Sequence, residues 1–154
     1  MDTLFSIIIL IFSVVIHEFS HGYSADKLGD PTARLAGRLT LNPFAHLSLF
    51  GSFIFPLVTY SLGGFIFGWA KPVPYNPYNI RHKYGDAIVA VAGPGSNFLL
   101  AIIFGFLIRF NIAYSFFPST FIDIFALIVV INIILGVFNL VPIPPLDGSK
   151  ILFN

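Results

Sequence analysis

The sequence predicts an all-α polytopic membrane protein with about four transmembrane segments. Of its 154 residues, 56% are hydrophobic and 10% are charged, and the mean hydropathy is +0.89. Soluble proteins average about a quarter charged residues, so this chain has too little polar surface to cover a soluble globule. A second observation is the presence of four long apolar stretches, at residues 3–23, 47–67, 87–108 and 121–141. We therefore expect the chain to lie in a lipid bilayer.

Charge and cysteine content exclude several classes of function. The formal net charge is +1, which gives no indication of nucleic-acid binding. The sequence contains no cysteine, so it cannot form disulfides or thiolate metal sites. Histidine, aspartate and glutamate remain as the candidate metal ligands.

The first apolar stretch predicts a membrane helix over residues 3–23, which is long enough to cross a hydrocarbon layer of about 30 Å. Asp2 precedes this helix, and Lys27, Arg34 and Arg38 follow it closely. The positive-inside rule then places the N-terminus outside and the other end of the helix near the cytoplasm. Because the stretch lacks a basic leading region and a small-residue cleavage site, we expect a retained helix instead of a cleaved signal.

This first helix ends in a potential metal-binding motif, Ile16-His17-Glu18-Phe19-Ser20-His21-Gly22. His17 and His21 are four residues apart and project from one helix face, where two imidazoles can bind one zinc ion. Glu18 is the only glutamate in the chain and can accept a proton from water beside the metal. The alternative is that both histidines are core residues. Ionisable side chains are costly inside a membrane helix, which favours the functional interpretation.

Residues 34–41 alternate in polarity, which predicts a short strand or β-hairpin that ends at Asn42-Pro43. An unpaired strand edge is not tolerated against lipid. Such a strand would therefore pair within the protein or with an extended peptide by strand addition. An ordinary interfacial loop is an equal alternative.

The second apolar stretch, residues 47–67, contains Pro56 and Gly63-Gly64, and it predicts an irregular membrane helix. Residues 68–78 include three prolines within six residues, so we expect a proline-rich extended loop near the active site. If residues 47–67 span fully, Arg81 and Lys83 would lie outside, against the charge rule. Either the stretch turns back or the rule fails here.

The third stretch, residues 87–108, contains the run Ala92-Gly93-Pro94-Gly95-Ser96-Asn97, whose small residues allow close helix packing. Asn97 is the polar exception. It could form an interhelical hydrogen bond, or it could donate to a substrate carbonyl or to an oxyanion.

The fourth stretch, residues 121–141, runs into a segment with three prolines, followed by Asp147. A membrane helix that unwinds before a carboxylate usually lines a cavity or a site. We therefore predict Asp147 as the third metal ligand, which is compatible with its also capping a helix that begins at Gly148. His46 and His82 have no partner at ligand spacing, so both are predicted not to bind metal.

No internal repeat or linker divides the chain, so residues 1–154 are predicted to form a single domain. The sequence stops within about two helical turns of Asp147, and residues 149–154 resemble a helix cut short. We therefore expect a C-terminally truncated fragment.

These motifs together resemble the site-2 protease family of intramembrane zinc metalloproteases, in particular its compact prokaryotic members. The matching segments occur in family order at residues 17–21, 25–32, 37–43, 68–74, 92–97 and 139–148. The first segment alone is shared with many soluble zinc proteases, whereas its combination with the last one inside apolar helices is highly specific.

The resemblance implies that His17, His21 and Asp147 bind one zinc ion per chain and that Glu18 is the general acid and base. It also suggests that Asn97 and Asn139 hold the substrate or stabilise the oxyanion. Members of the family usually continue with further helical segments after the aspartate.

The expected function is that of an intramembrane zinc metalloendopeptidase, located in the plasma membrane of a prokaryote with its site nearer the cytoplasmic side. The expected partners are the lipid bilayer and a membrane-protein substrate with a transmembrane helix, while the oligomeric state is left open. The alternative is a membrane zinc-binding carrier or scaffold without protease activity. A carrier would need polar residues spread along a pathway, whereas the candidates here gather at one depth.

Overall fold

The computed structural model describes residues 3–63 and 70–152, in which all regular secondary structure is helical. The α-helical class is therefore as predicted. A π-helical segment, Leu49–Ile54, precedes α4, and a 3₁₀ turn, Pro77–Asn79, precedes α5. The α-helices of these residues are α1 Thr3–Lys27, α2 Thr32–Leu35, α3 Pro43–His46, α4 Phe55–Gly63, α5 Gly85–Tyr114, α6 Ser119–Asn139 and α7 Asp147–Leu152.

Three helices of the described residues, α1, α5 and α6, are long and apolar enough to cross a membrane. The 21 residues of α6 extend for about 30 Å, which matches the hydrocarbon thickness of a bilayer. The prediction of about four spans is not confirmed. Residues 47–63 form the π-helical segment and the nine-residue α4, and residues 64–69 lie outside the described part. Pro56 lacks the N–H that a continuous helix needs, and proline is instead tolerated in the first turn of a new helix.

The predicted strand at residues 34–41 is wrong, because this stretch contains the end of α2 and a turn. Gly37 has a φ of +65°, the left-handed conformation that commonly ends a helix. The Gly37 N–H donates to the Arg34 carbonyl, and the Arg38 N–H donates to the Ala33 carbonyl. These two bonds form a Schellman closure, which satisfies the backbone locally and leaves no strand edge to pair.

The C-terminal end of α1 lies beside the segment that leads into α5. The Arg81 N–H donates to the Leu28 carbonyl over 3.2 Å, so Arg81 and Lys27 share one end of the molecule. The end of α1 and the segment before α5 therefore lie on the same side, so Arg81 and Lys27 together satisfy the charge rule. Helix α5 then packs against both α1 and α6 and places the three spans side by side.

Candidate metal centre

The structure brings the three predicted ligands into one cluster. The Nε2 atoms of His17 and His21 are 3.0 Å apart, and each lies 3.1 Å from Oδ2 of Asp147. All three residues are buried. One turn of α1 sets the spacing of the histidines, and the start of α7 supplies the carboxylate across 126 residues of sequence.

Asp147 reaches this position because the chain folds back closely after α6. Residues 141–146 form turns instead of continuing the helix, and α7 begins at Asp147. A Cβ atom on Gly148 would collide with the Leu140 carbonyl group at the end of α6. Glycine at position 148 therefore permits the contact between the two helices that directs Asp147 toward the histidines.

The outer nitrogen of each imidazole is held by an oxygen of α5. His17 Nδ1 lies 2.6 Å from Asn97 Oδ1, and His21 Nδ1 lies 2.7 Å from the Val89 carbonyl oxygen. Amide and carbonyl oxygens only accept hydrogen bonds, so both Nδ1 atoms carry the proton in the neutral rings. The two Nε2 lone pairs then face each other and the carboxylate oxygen, an arrangement that a bound cation would stabilise.

The donor set of this cluster fits zinc. Two imidazole nitrogens and one carboxylate oxygen are common zinc ligands and leave a fourth position open in a catalytic site. Tetrahedral zinc with bonds of 2.0–2.1 Å separates its ligand atoms by about 3.3 Å, close to the 3.0–3.1 Å found here. The carboxylates of Asp147 and Glu18 would balance the two positive charges.

Gly93 of α5 lies directly against the two imidazoles. A Cβ atom at this position would collide with His21 Nε2 and would lie 2.7 Å from His17 Cε1. Real Cβ contacts are essentially never under 3.0 Å, so the backbone of α5 can approach the ligands this closely only with glycine.

The carboxylate of Glu18, a residue of α1, is held by the proline-rich loop. Residues 70–76 have no regular secondary structure, as predicted, and the Val73 N–H donates to Glu18 Oε2 over 2.8 Å. Val73 is itself buried, and its side chain lies where a Cβ on Gly22 of α1 would be. The predicted loop therefore lies next to the candidate catalytic carboxylate.

Asp30 holds this loop against the end of α1. Its fully buried carboxylate accepts hydrogen bonds from the Asn76 N–H at 2.7 Å and from Asn79 Nδ2 at 2.8 Å, in addition to those from Thr32. Burial by itself would raise the pKa of the Asp30 carboxyl group, but these hydrogen bonds outweigh burial and hold the pKa below its ordinary value. Asp30 is therefore ionised at neutral pH.

Three other residues singled out in the sequence make their hydrogen bonds outside the cluster. Asn139 donates through Nδ2 to the Leu135 carbonyl one turn earlier in α6. His46 is buried and contacts the Thr40 carbonyl, and His82 accepts from the Tyr84 N–H. In the described part of the chain, the group able to hold a metal contains His17, His21 and Asp147 and neither His46 nor His82.

Sequence reasoning missed Asn132, which is fully buried in the middle of α6. Its Oδ1 accepts from Asn97 Nδ2 over 2.9 Å, so it lies one residue away from His17 in a chain of hydrogen bonds. The available signal was its position, because residues 124–138 are otherwise all apolar. A polar side chain inside a membrane helix needs a partner and indicates a buried contact.

The comparisons with known proteins agree with this geometry. The model of Peptidase family M50 matches residues 5–119 and 114–154. "Putative zinc metalloprotease YwhC" of Bacillus subtilis is 39% identical over 152 residues, which are 95% of this chain and 66% of that protein. "Putative zinc metalloprotease Rip2" of Mycolicibacterium smegmatis is 33% identical over 141 residues, and Rip2 of Mycobacterium tuberculosis is 27% identical over 140.

The Rip2 matches cover 90% and 91% of this chain. The chain spans only 52% of the length of each Rip2 protein. No solved structure matches the chain. The family match covers nearly all of the sequence and carries both the histidine motif and Asp147. The chain therefore belongs to Peptidase family M50, the site-2 protease family of zinc metalloproteases.

Proposed function

We propose that this protein is an intramembrane zinc metalloendopeptidase that hydrolyses peptide bonds in or near transmembrane segments of membrane-protein substrates. The observation that carries the proposal is the convergence of His17, His21 and Asp147, with Glu18 adjacent in the sequence. Family membership supports zinc and hydrolysis, and three apolar helices support a location in the membrane.

In this proposal His17, His21 and Asp147 would hold one zinc ion per chain. Bound zinc would supply Lewis acidity to the scissile carbonyl group and to water. Glu18 accepts the proton of the attacking water and later delivers it to the nitrogen of the leaving amine. The Val73 N–H holds Glu18 Oε2, which orients the carboxylate and leaves Oε1 for proton transfer.

The position of the histidines on α1 supports chemistry below the membrane surface. His21 and His17 precede the end of α1 at Lys27 by 6 and 10 residues, which corresponds to about 9 to 15 Å along the helix axis. At that depth a substrate helix must unwind, because its carbonyl groups are otherwise occupied by the helical hydrogen bonds. We therefore expect substrates with helix-weakening residues near the cleavage point. Asn139 remains a candidate for holding the unwound segment, whereas both polar atoms of the buried Asn97 amide are occupied by His17 and Asn132.

The distribution of basic residues supports a site nearer the cytoplasm. Arg81 lies beside Leu28 at the end of α1, and Arg38 donates to the Lys71 carbonyl. By the positive-inside rule this end of the molecule faces the cytoplasm. The relatives are bacterial proteins, which supports a prokaryotic plasma membrane. The basic residues that these contacts place near the end of α1 are Lys27, Arg34, Arg38, Lys71 and Arg81.

The test uses the chain reconstituted in lipid vesicles with a single-span reporter that carries a different tag on each side of its helix. Glu18→Gln should retain wild-type zinc content and lose cleavage by about a hundredfold or more, the usual contribution of general acid–base catalysis. His17→Ala should lose both zinc and cleavage. Retained cleavage by the Glu18→Gln variant would contradict the role of Glu18. Zinc binding by the wild type without any cleavage of helix-destabilised reporters would favour the carrier or scaffold.

A further inference from the structure

A series of buried hydrogen bonds connects helices α1, α5 and α6 to His17, one of the three candidate metal ligands. Asn132 of α6 donates to Ser13 of α1 over 2.9 Å and accepts from Asn97 of α5 over 2.9 Å. Asn97 in turn contacts Nδ1 of His17 over 2.6 Å. All four residues are buried, and both asparagines are fully buried. The side chains therefore lie where water cannot replace a missing hydrogen bond.

The direction of this chain is fixed at one end by a backbone group. Asn132 Nδ2 lies 2.9 Å from the Ile128 carbonyl oxygen, which can only accept. The nitrogen of the Asn132 amide must therefore be on that side, and its oxygen must face Asn97. A reversed amide would place two oxygens against each other.

The orientation of the Asn132 amide also fixes which atom of Asn97 faces the His17 imidazole. Because Asn132 Oδ1 accepts from Asn97 Nδ2, the Asn97 oxygen faces His17. His17 Nδ1 then keeps its proton, and His17 Nε2 keeps its lone pair toward His21 and Asp147. If Asn97 were reversed, its nitrogen would donate to Nδ1, and the proton would move to Nε2, where a metal ligand cannot carry one.

We propose that Asn132 is a positioning residue of the metal site that acts through Asn97 to set which ring nitrogen of His17 carries the proton. This inference rests on the proposed function, since it assigns Asn132 a role only if the cluster binds zinc. The plainer alternative is that Asn132 only joins α5 and α6, as polar side chains often do in membranes. The two explanations differ in what happens when Asn97 is replaced by a residue that cannot be reversed.

The experiment measures zinc dissociation constants by competition with a chelator, using the full chain in detergent. Asn132→Leu leaves Asn97 free to reverse and should weaken zinc binding about tenfold, within the range typical of residues behind a metal ligand. Asn132→Asp should stay within about threefold of wild type, because a buried, protonated carboxyl group can donate to Ile128 and accept from Asn97.

The discriminating variant is Asn97→Asp. As a protonated carboxyl group it can donate from one oxygen to Asn132 Oδ1 and accept from His17 with the other, and either oxygen can take the position that faces His17. In that background Asn132→Leu should change zinc binding by no more than about twofold, as for independent sites. Ser61→Ala is the control, because the exposed Ser61 of α4 also donates to the carbonyl four residues earlier in its helix and has no role in the site. Its zinc affinity should equal that of wild type.

A second readout follows the proton itself. Nitrogen NMR of the histidine side chains in zinc-free protein should show the Nδ1–H form of His17 in wild type and a mixture of both forms in Asn132→Leu. Unchanged zinc affinity and an unchanged proton position in Asn132→Leu would overturn the inference. The inference would also be overturned, in favour of simple helix packing, if Asn132→Leu weakened zinc binding equally in wild type and in Asn97→Asp. The same conclusion would follow if Asn132→Asp weakened zinc binding as much as Asn132→Leu.

These failures differ from failure of the proposed function. If wild type binds zinc and His17→Ala does not, but Asn132→Leu behaves as wild type, only the role of Asn132 is lost. If wild type binds no zinc, the metal site is wrong, and the role of Asn132 is overturned with it.

Discussion

The two sides of the candidate site are held in different ways. On the metal side, side chains on helices α1, α5 and α7 meet in a buried cluster, and the outer nitrogens of both histidines contact α5. On the opposite side, Glu18 is held by one backbone N–H of a loop, and the loop is held by Asp30. Metal binding and proton transfer should therefore respond to different substitutions, and the following predictions test that separation.

The largest expected effect is loss of a ligand. Asp147→Ala should weaken zinc binding by more than about a hundredfold. Losing a metal ligand reduces affinity more than losing a residue that only hydrogen-bonds to a ligand. Glu18→Gln should weaken zinc binding far less, by no more than about tenfold, since it removes a nearby negative charge but no ligand. Zinc affinities from chelator competition check both variants. A strong loss of zinc in Glu18→Gln would show that the two sides are coupled.

A smaller effect on the metal side should follow from Gly93→Ala. The added Cβ would push against both imidazoles, so zinc binding should weaken on the order of tenfold. Gly95→Ala is the control, because a Cβ there has nothing within 4 Å. Its zinc affinity should match wild type, and its helix should gain up to about 1 kcal/mol in stability. Equal zinc affinity in the two variants would contradict the packing of α5 on the ligands.

On the loop side, Asp30→Asn should lower cleavage while zinc stays bound. Every partner of the Asp30 carboxylate is a donor, so an amide nitrogen at this site would face a donor in either orientation. The loop would shift and misplace Glu18, with an expected loss of turnover of about tenfold to a hundredfold. Reporter cleavage and zinc content measured on the same preparation check this result. Asp123→Asn, at the start of α6, serves as the control and should change neither quantity.

The smallest expected effect is on the pH dependence of stability. The pKa of Asp30 is lower in the folded protein than its unfolded value of about 3.9, so its contribution is fully present above that pH. The contribution is lost as the pH falls through the folded pKa. Wild type should therefore lose more thermal stability between pH 6 and pH 3 than Asp30→Asn. Equal losses would indicate that the Asp30 hydrogen bonds contribute little to folding.

Local patterns single out the three candidate ligands that the structure brings together. Two histidines one helical turn apart share a face in any helix, and the structure places them in α1. Asp147 was identified because prolines end the preceding helix before a charged residue in an apolar chain. The sequence could not show how α6 and α7 bring that carboxylate to the histidines, since this depends on a close backbone contact at Gly148.

The strand and the fourth span, which the structure does not confirm, were predicted from patterns that fit two different structures. Alternating polarity at residues 34–41 suits a strand, but a glycine at position 37 allowed a helix end and a turn instead. The apolar length of residues 47–67 suits a span, although a separate helix, α4, begins within it at Phe55, next to Pro56. The partners of Asn97 and Asn132 depend on how three helices pack, and no spacing along the chain encodes that contact.

The central claim is that His17, His21 and Asp147 bind one zinc ion beneath the membrane surface. A crystal structure of the zinc-loaded protein, with anomalous difference maps on both sides of the zinc absorption edge, tests it most directly. The account predicts a single zinc peak within about 2.0–2.2 Å of both histidine Nε2 atoms and of an Asp147 carboxylate oxygen. A zinc peak elsewhere, or no peak at this cluster in protein that contains stoichiometric zinc, would contradict it.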